Sequence, residues 1–405
     1  MQPLPPHTAP DDEARWALVR DQYDPSPDFI NLDNGYIGMP ARPVRTAMRR
    51  YQDAMDRETS YFLRMRFPER LERVLQRLAA FTGVAREELL VTRNAMESFN
   101  ILVQGYPFRT GDEVLLARHD YDSAIETLAM VAARKSLALV QIDVPLDPAS
   151  DDAIVDVYRA ALTPRTRVLL VTHVVHRTGQ IMPVARIAAM AKEHGVDVIV
   201  DGAHALAHLD FKLADLDVSF ASFNLHKWVG APLGVGLLYV ARDRIADIAA
   251  LYGDTAHAPG DIDRLGHFGT VPPAPILAIE DALDFHDAIG GANKEGRLRY
   301  LARYWQDRVR CMPGVRLFTP TDPRRHGALA AFGIAGMSAA DVSERMMRDH
   351  RLFTVVRAIG DDACVRVTPH LYTTTADLDV LVGAIRMLAN EAAGMSMPAA
   401  PDASA

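Results

Sequence analysis

Four stretches of this 405-residue sequence bring together residue types that can do chemistry. The first is Val196-Asp-Val-Ile-Val-Asp-Gly-Ala-His204, followed by Ser222-Phe-Asn-Leu-His-Lys-Trp228 and the glycine-spaced Gly234-Val-Gly236. Asp201 closes an apolar run, and Lys227 follows it after 227 − 201 = 26 residues, directly behind His226. A lysine set among apolar strands loses part of its preference for the ammonium form, and the neutral amine is both nucleophile and proton acceptor. The second stretch, Val91-Thr-Arg-Asn-Ala-Met-Glu-Ser-Phe-Asn100, ends an apolar run and opens a helical pattern. Free N–H groups and the positive end of the helix dipole make such a place an anion site. The third pair, Arg118-His-Asp-Tyr-Asp-Ser-Ala124 and Val171-Thr-His-Val-Val-His-Arg-Thr-Gly179, puts rings and charges just after two further runs. The fourth, Cys364-Val-Arg-Val-Thr-Pro-His-Leu-Tyr-Thr-Thr374, carries an arginine, whose planar fork suits a carboxylate. Singly, each has an ordinary explanation: a surface lysine, a capping Asp or Asn, a loop tyrosine, a surface salt bridge. Their order along the chain is what joins them.

The elements that must hold these residues follow from the apolar pattern. Continuous runs at 88–92, 113–117, 137–142, 168–172, 196–200, 218–223 and 234–240 read as strands buried on both faces, as in a mostly parallel sheet covered by helices. Pro183, the face Val184, Ile187, Ala188 and Ala191, and the stop at Gly195 define one helix between two of these strands. The class is therefore α/β, with seven strands in the large sheet. A long helical pattern after Val271 to Pro275, around 276–300, links it to a small α+β unit with strands near 315–318, 328–334, 353–357 and 364–368. The expected organisation is an N-terminal arm at 1–25, a large domain at 26–290, a small C-terminal domain at 291–393 and a disordered tail at 394–405.

Composition narrows the function classes. A formal charge of −8 and a pI near 6.0 give no electrostatic footprint for nucleic acid or anionic lipid, so small-molecule chemistry is expected. The apolar region 218–240 is interrupted by Asn224, His226 and Lys227, so no membrane span is expected. Two cysteines, Cys311 and Cys364, make no disulfide framework, and residues 1–13 carry no secretory pattern; a cytoplasmic location is expected. His173 with His176 and His204 with His208 lack a third ligand and helical context, so no metal is expected.

The section from Asp201 to Lys227, with the other motifs around it, resembles the aminotransferase class V family of pyridoxal-phosphate (PLP) enzymes, in particular its branch of isopenicillin N epimerase-like and cysteine desulfurase-like members. The resemblance covers roughly residues 28 to 392 and implies the PLP-dependent transferase fold type I, a homodimer and active sites at the subunit interface. It implies that Lys227 holds the cofactor as a Schiff base and that Asp201 faces the pyridine nitrogen, keeping it protonated as an electron sink. It assigns the phosphate to Asn94, Ala95 and Met96, with Asn224, His226 and, from a second subunit, Thr270. Met96 departs from the usual Thr, so a hydroxyl contact is lost. Tyr121 matches the ring that lies over the cofactor, with His119 and Asp122 as neighbouring alternatives, and His176 and His204 match positions near the phenolic oxygen. Arg366 matches the arginine that binds the substrate carboxylate, and Asn34 with Gly35 matches a turn lining the same pocket.

One fold of this kind runs several reactions, so likeness alone does not choose among them. The expected activity is that of an aminotransferase or epimerase acting on an amino acid through an external aldimine and Cα deprotonation. The alternatives are a C–S lyase working by β-elimination, a cysteine desulfurase-like enzyme, and a non-catalytic PLP-binding relative. The segment Arg351-Leu-Phe-Thr-Val-Val-Arg357 lacks the nucleophilic cysteine a desulfurase needs, and Cys364 reads as a buried structural thiol.

Overall fold

The computed structural model describes residues 2–360 and 362–394, so the tail expected at 394–405 lies, apart from Gly394, outside the described residues. The apolar runs become strands. After the short β1 (Ile30–Asn31) come β2 (Leu89–Thr92), β3 (Glu113–Ala117), β4 (Ala138–Ile142), β5 (Thr166–Thr172), β6 (Asp197–Asp201), β7 (Phe220–Asn224) and β8 (Gly236–Val240). These last seven form one sheet in the order β2-β8-β7-β6-β5-β3-β4. Strands β3 to β7 are parallel, and β8 runs antiparallel to both its neighbours, β2 and β7.

Alternate residues of each strand enter two separate cores, which explains the continuous apolarity of the runs. Leu115, Leu169, Val198 and Leu237 pack on one face, with residues of α2 (Arg42–Glu58), α3 (Phe67–Thr82), α6 (Asp151–Ala160), α7 (Val184–Glu193) and α8 (Pro273–Ile289). Leu116, Leu170, Ile199 and Leu238 pack on the other, against α4 (Ala95–Gly105) and α5 (Asp122–Lys135). The first face also takes in α1 (Glu13–Arg20), through Trp16 and Val19.

The single linking helix expected around 276–300 is two. Gly290 has φ +87°, a conformation that ends α8 and lets α9 (Gly291–Val309) start in a new direction. Beyond it an antiparallel sheet in the order β12-β13-β10-β9 is built from β9 (Val315–Leu317), β10 (Ala330–Ile334), β12 (Val355–Ile359) and β13 (Asp362–Val367). The short β11 (Leu352–Phe353) pairs instead with β1 in parallel. With α10 (Ala339–His350) and α11 (Thr375–Ala392), this sheet encloses its own core around Trp305 and Phe332. No helix among the described residues is long and apolar enough to cross a membrane.

The N-terminal residues differ from the arm the composition suggests. Trp16 is 1% exposed and Val19 is fully buried, both in the core beneath the large sheet. The Leu4 N–H donates to Ala288 O at 2.7 Å, and the Arg297 guanidinium donates to Glu13 Oε1 at 2.6 Å and to Pro10 O at 2.8 Å. This segment straps the α8–α9 junction through one large aromatic side chain, an amount of burial that a Pro-rich composition conceals. Trp16→Ala is therefore expected to cost about 3–5 kcal/mol, read as a lower denaturant midpoint. A loss under about 0.5 kcal/mol, ordinary for a surface residue, would return the segment to the status of an arm.

Candidate active site

The chemistry-bearing residues converge because the strands that carry them end at the same edge. Asp201 ends β6, Thr172 ends β5, Asn224 ends β7, and the residues after β2 and β3 begin α4 and α5. The sheet's order reverses between β3 and β5, and in open α/β sheets the crevice beyond the carboxyl ends at such a point is where ligands bind. A cavity of about 780 Å³ lies here, with Lys227, Asp201 and His204 among its lining residues.

Lys227 is the centre of this cavity's chemistry. Burial lowers its ammonium to about 7, against the opposing pull of Asp201. Its Nζ lies 3.0 Å from His204 Nε2, while the Trp228 indole N–H donates to His204 Nδ1 at 3.3 Å. An indole N–H can only donate, so Nδ1 must accept and the neutral ring carries its proton on Nε2. That proton then points at the lysine, which meets it as a neutral amine. The ring is uncharged in turn, because burial, as the largest cause, drives His204 well below its ordinary value. Trp228 is itself clamped, stacked on His208 at 4.1 Å between ring centres and facing His370 at 5.9 Å. His208 is spent on the His204 carbonyl at 2.8 Å and the Ala328 N–H at 2.7 Å. Gly38 secures the backbone of the lysine: a Cβ there would sit 2.0 Å from Lys227 O.

Asp201 is buried, and burial raises its carboxyl above the ordinary value. It accepts from the Ala203 N–H at 3.0 Å and makes no ion pair among the described residues. A buried carboxylate of this kind is costly unless a cation faces it, so the site is shaped for a ligand that brings one. Beside it the sequence reading missed Asp120, fully buried and pushed up to about 7 by desolvation. Asp120 accepts from the Thr172 hydroxyl at 2.6 Å and the Ala117 N–H at 2.7 Å, and so fixes Thr172 at the cavity wall. A short loop acid gives no periodic signal, which is why only its neighbours drew notice.

The start of α4 is more occupied than a bare helix end. Asn94 Oδ1 accepts from the Glu97 N–H at 2.9 Å, and Asn224 Oδ1 accepts from the Ala95 N–H at 2.9 Å. Met96 keeps its N–H, and the amide NH₂ of Asn224 is left to donate, so the anion site is a composite of helix end and strand end. His226 Nδ1 lies 3.1 Å from Val235 O, which reserves Nε2 for the cavity. Gly236 allows β8 to press on this corner, since a Cβ would lie 2.5 Å from the Asn94 carbonyl carbon.

On the opposite wall, Tyr121 and His176 meet edge to face at 5.3 Å, and both line the cavity. Asp122 also lines it, in an ion pair with Arg177, whereas His119 lies outside the lining. Arg366 reaches in from β13, its guanidinium donating to Asp33 Oδ1 at 2.5 Å and to His176 O at 2.9 Å. Asn34, expected to line the pocket, does not. Its amide donates to Thr368 O at 2.9 Å and accepts from the Tyr372 hydroxyl, so the turn spends this side chain on itself and presents Gly35 and Tyr36 instead. Thr270 is exposed and lies outside this subunit's own cavity. Arg357 lines the cavity and was overlooked, because its segment was searched only for a cysteine.

A doubly wound sheet with a smaller α+β unit, and a half-buried lysine of lowered basicity near a carboxylate that makes no ion pair among the described residues, define a PLP-dependent enzyme of fold type I. The chain belongs to the aminotransferase class-V family, whose model matches residues 40–381. It is 30% identical over 394 residues to an isopenicillin N epimerase of Amycolatopsis lactamdurans, covering 92% of this chain and 98% of that protein. It is 28% identical over 391 residues to a probable cysteine desulfurase of Halobacterium salinarum, covering 88% and 91%. The fold matches a C-DES mutant solved with glycine covalently linked to its PLP cofactor, with TM-score 0.82, 21% identity and coverage of 91% and 98%. The cofactor of this family is pyridoxal 5'-phosphate. The residues present fit it: an orphaned buried carboxylate for a ring cation, a neutral amine for an aldehyde, and amide donors at a helix start for a phosphate.

The rate at which cofactor-free protein takes up pyridoxal phosphate through Lys227 should rise with pH through about 7 and level off above about 8. A lysine of ordinary basicity would keep gaining up to about 10. Trp228→Phe removes the donor that fixes the His204 tautomer, lets Nε2 accept from an ammonium, and should move that midpoint upward by up to about one unit. A midpoint unmoved in the variant would refute the wiring.

Proposed function

We propose that this enzyme transfers a proton at the Cα of an amino-acid substrate, in the manner of a class V aminotransferase or epimerase, with Lys227 as acid and base. The observation that carries this reading is the Lys227 amine, its basicity lowered by burial, held at 3.0 Å from a His204 ring whose tautomer is fixed from behind. Pyridoxal phosphate, when bound, supplies an aldehyde that captures an amine and a ring that withdraws electrons from the substrate Cα. Asp201, a buried carboxylate that makes no ion pair among the described residues, would keep a proton on the ring nitrogen. The Met96 N–H, Asn224 and His226 would hold the phosphate, with Asn94 and Ala95 shaping the helix start, and Tyr121, His176 and His204 would bound the ring. Arg366, braced by Asp33, retains donors for the substrate α-carboxylate, since two of its five N–H groups are engaged. Lys227 Nζ removes the Cα proton and returns it.

Several coarser features support a homodimer. Tyr36 and Leu233 line the cavity yet are 70% and 64% exposed, and Thr270 stands outside its own cavity, so a second copy would cover the mouth and contribute Thr270 to the partner site. We place the division between large and small domains at Gly290 and the protein in the cytoplasm, where its free cysteines would stay reduced. Desulfurase chemistry finds no support: Cys364 is buried in β13, its thiol is pushed up to about 11 by desolvation, and no cysteine lines the cavity among the described residues.

With PLP bound, the protein should show a visible absorbance band that shifts on addition of an amino-acid substrate. In deuterated water that substrate should gain deuterium at Cα. Lys227→Ala should lose the exchange by a factor of 10² or more, on the order expected for a positioned acid/base. Undiminished exchange in the variant would defeat the assignment, and sulfide with pyruvate from cysteine as the main products would point to the lyase alternative.

A further inference from the structure

The cavity holds two arginines from the small sheet, and the described residues balance the charge of one. In the β12–β13 pair Arg366 stands opposite Val355, so Arg357, two residues on, occupies the same face as its diagonal neighbour. Diagonal pairs of this kind lie about 7–8 Å apart. Arg366 is fully enclosed and paired with Asp33. Arg357 is half-buried; its guanidinium makes one hydrogen bond, to Val356 O at 3.2 Å, and has no carboxylate partner among the described residues. The groups suited to the cofactor phosphate, at 94–96 and Asn224, come from the large sheet, so that anion does not answer Arg357. Two guanidiniums on one cavity wall, with the single carboxylate of Asp33 held by Arg366, leave a net positive charge, and like charges brought together in a partly shielded site are unfavourable until an anion joins them.

We propose that Arg357 determines specificity by binding a second carboxylate, carried on the substrate side chain, while Arg366 takes the α-carboxylate; the natural substrate is an acidic amino acid or a larger amino acid with a distal carboxylate. This rests on the amino-acid reading above. The dicarboxylate preference is separable from it, because it can be read without turnover and with ligands that have no amine.

Calorimetry of the PLP-loaded protein with glutarate and pentanoate, which differ by one carboxylate in place of a methyl group, tests the pair of arginines. Glutarate should bind at least about tenfold more tightly. Arg357→Met should abolish the difference and Arg357→Lys should keep part of it. Equal affinities in the native protein overturn the proposal. A loss of pentanoate and glutarate binding in equal measure in Arg357→Met also overturns it, by assigning both arginines to one carboxylate. The visible band then separates the two readings: glutamate should shift it at lower concentration than norvaline. A protein that prefers glutarate but answers no amino acid keeps its paired-arginine subsite and loses the amino-acid assignment.

Discussion

Removing water from one amine organises the rest of this site. Lys227 sits where its charged form cannot be solvated, and desolvation alone would leave a weakly basic amine with no fixed direction. Direction comes from His204, and the direction of His204 comes from Trp228, because a group that can only donate settles which ring nitrogen is the acceptor. Trp228 in turn is held by stacking on His208, whose two nitrogens are both engaged with backbone. The backbone of Trp228 has a further anchor: buried Lys294 at the start of α9 donates to its carbonyl. The Lys227 amine is thus the cavity-facing end of a chain of fixed orientations running back to the start of α9.

That chain needs a rigid frame, and the sheet topology supplies it. Parallel strands deliver their carboxyl ends to one edge, so residues as far apart in sequence as Thr172, Asp201 and Asn224 become neighbours without any loop having to fold back. The antiparallel β8 closes the arrangement from the other direction, bringing Gly234 to the cavity and Gly236 against Asn94. The small sheet adds the arginines from a second frame, and β1 pairing with β11 ties Asp33 to the same side as Arg366.

The degree to which the sequence disclosed this arrangement follows from what produces a local signal. All seven strands of the large sheet were legible because burial on two faces forces continuous apolarity, and the Asp201 to Lys227 section stood out through its resemblance to the aminotransferase class V family. The Asn34 position was misread because a turn residue can serve its own backbone as readily as a pocket, and only the hydrogen bonds to Thr368 and Tyr372 decide it. Trp16 was lost in a segment whose composition suggested an arm; one side chain can anchor a segment without creating a periodicity. Asp33, Asp120 and Trp228 act by contacts between residues distant in sequence, and such contacts leave no trace in the spacing.

Charge balance explains why Arg366 comes with Asp33. A guanidinium buried to this degree is pushed down by desolvation, with Asp33 opposing and the charge of Arg357 adding to the push. Without Asp33 the cavity would hold two uncompensated cations, a cost that would fall on the empty enzyme. With Asp33 in place Arg366 is neutralised as a pair yet keeps donors for a carboxylate, so it can orient that group without drawing every passing anion. The charge that attracts is left on Arg357, nearer water, where it is cheaper to keep while the site waits. Under the proposed assignment, attraction and orientation are divided between two arginines on one face of one strand pair, the half-buried one setting which anions enter and the enclosed one setting how they lie.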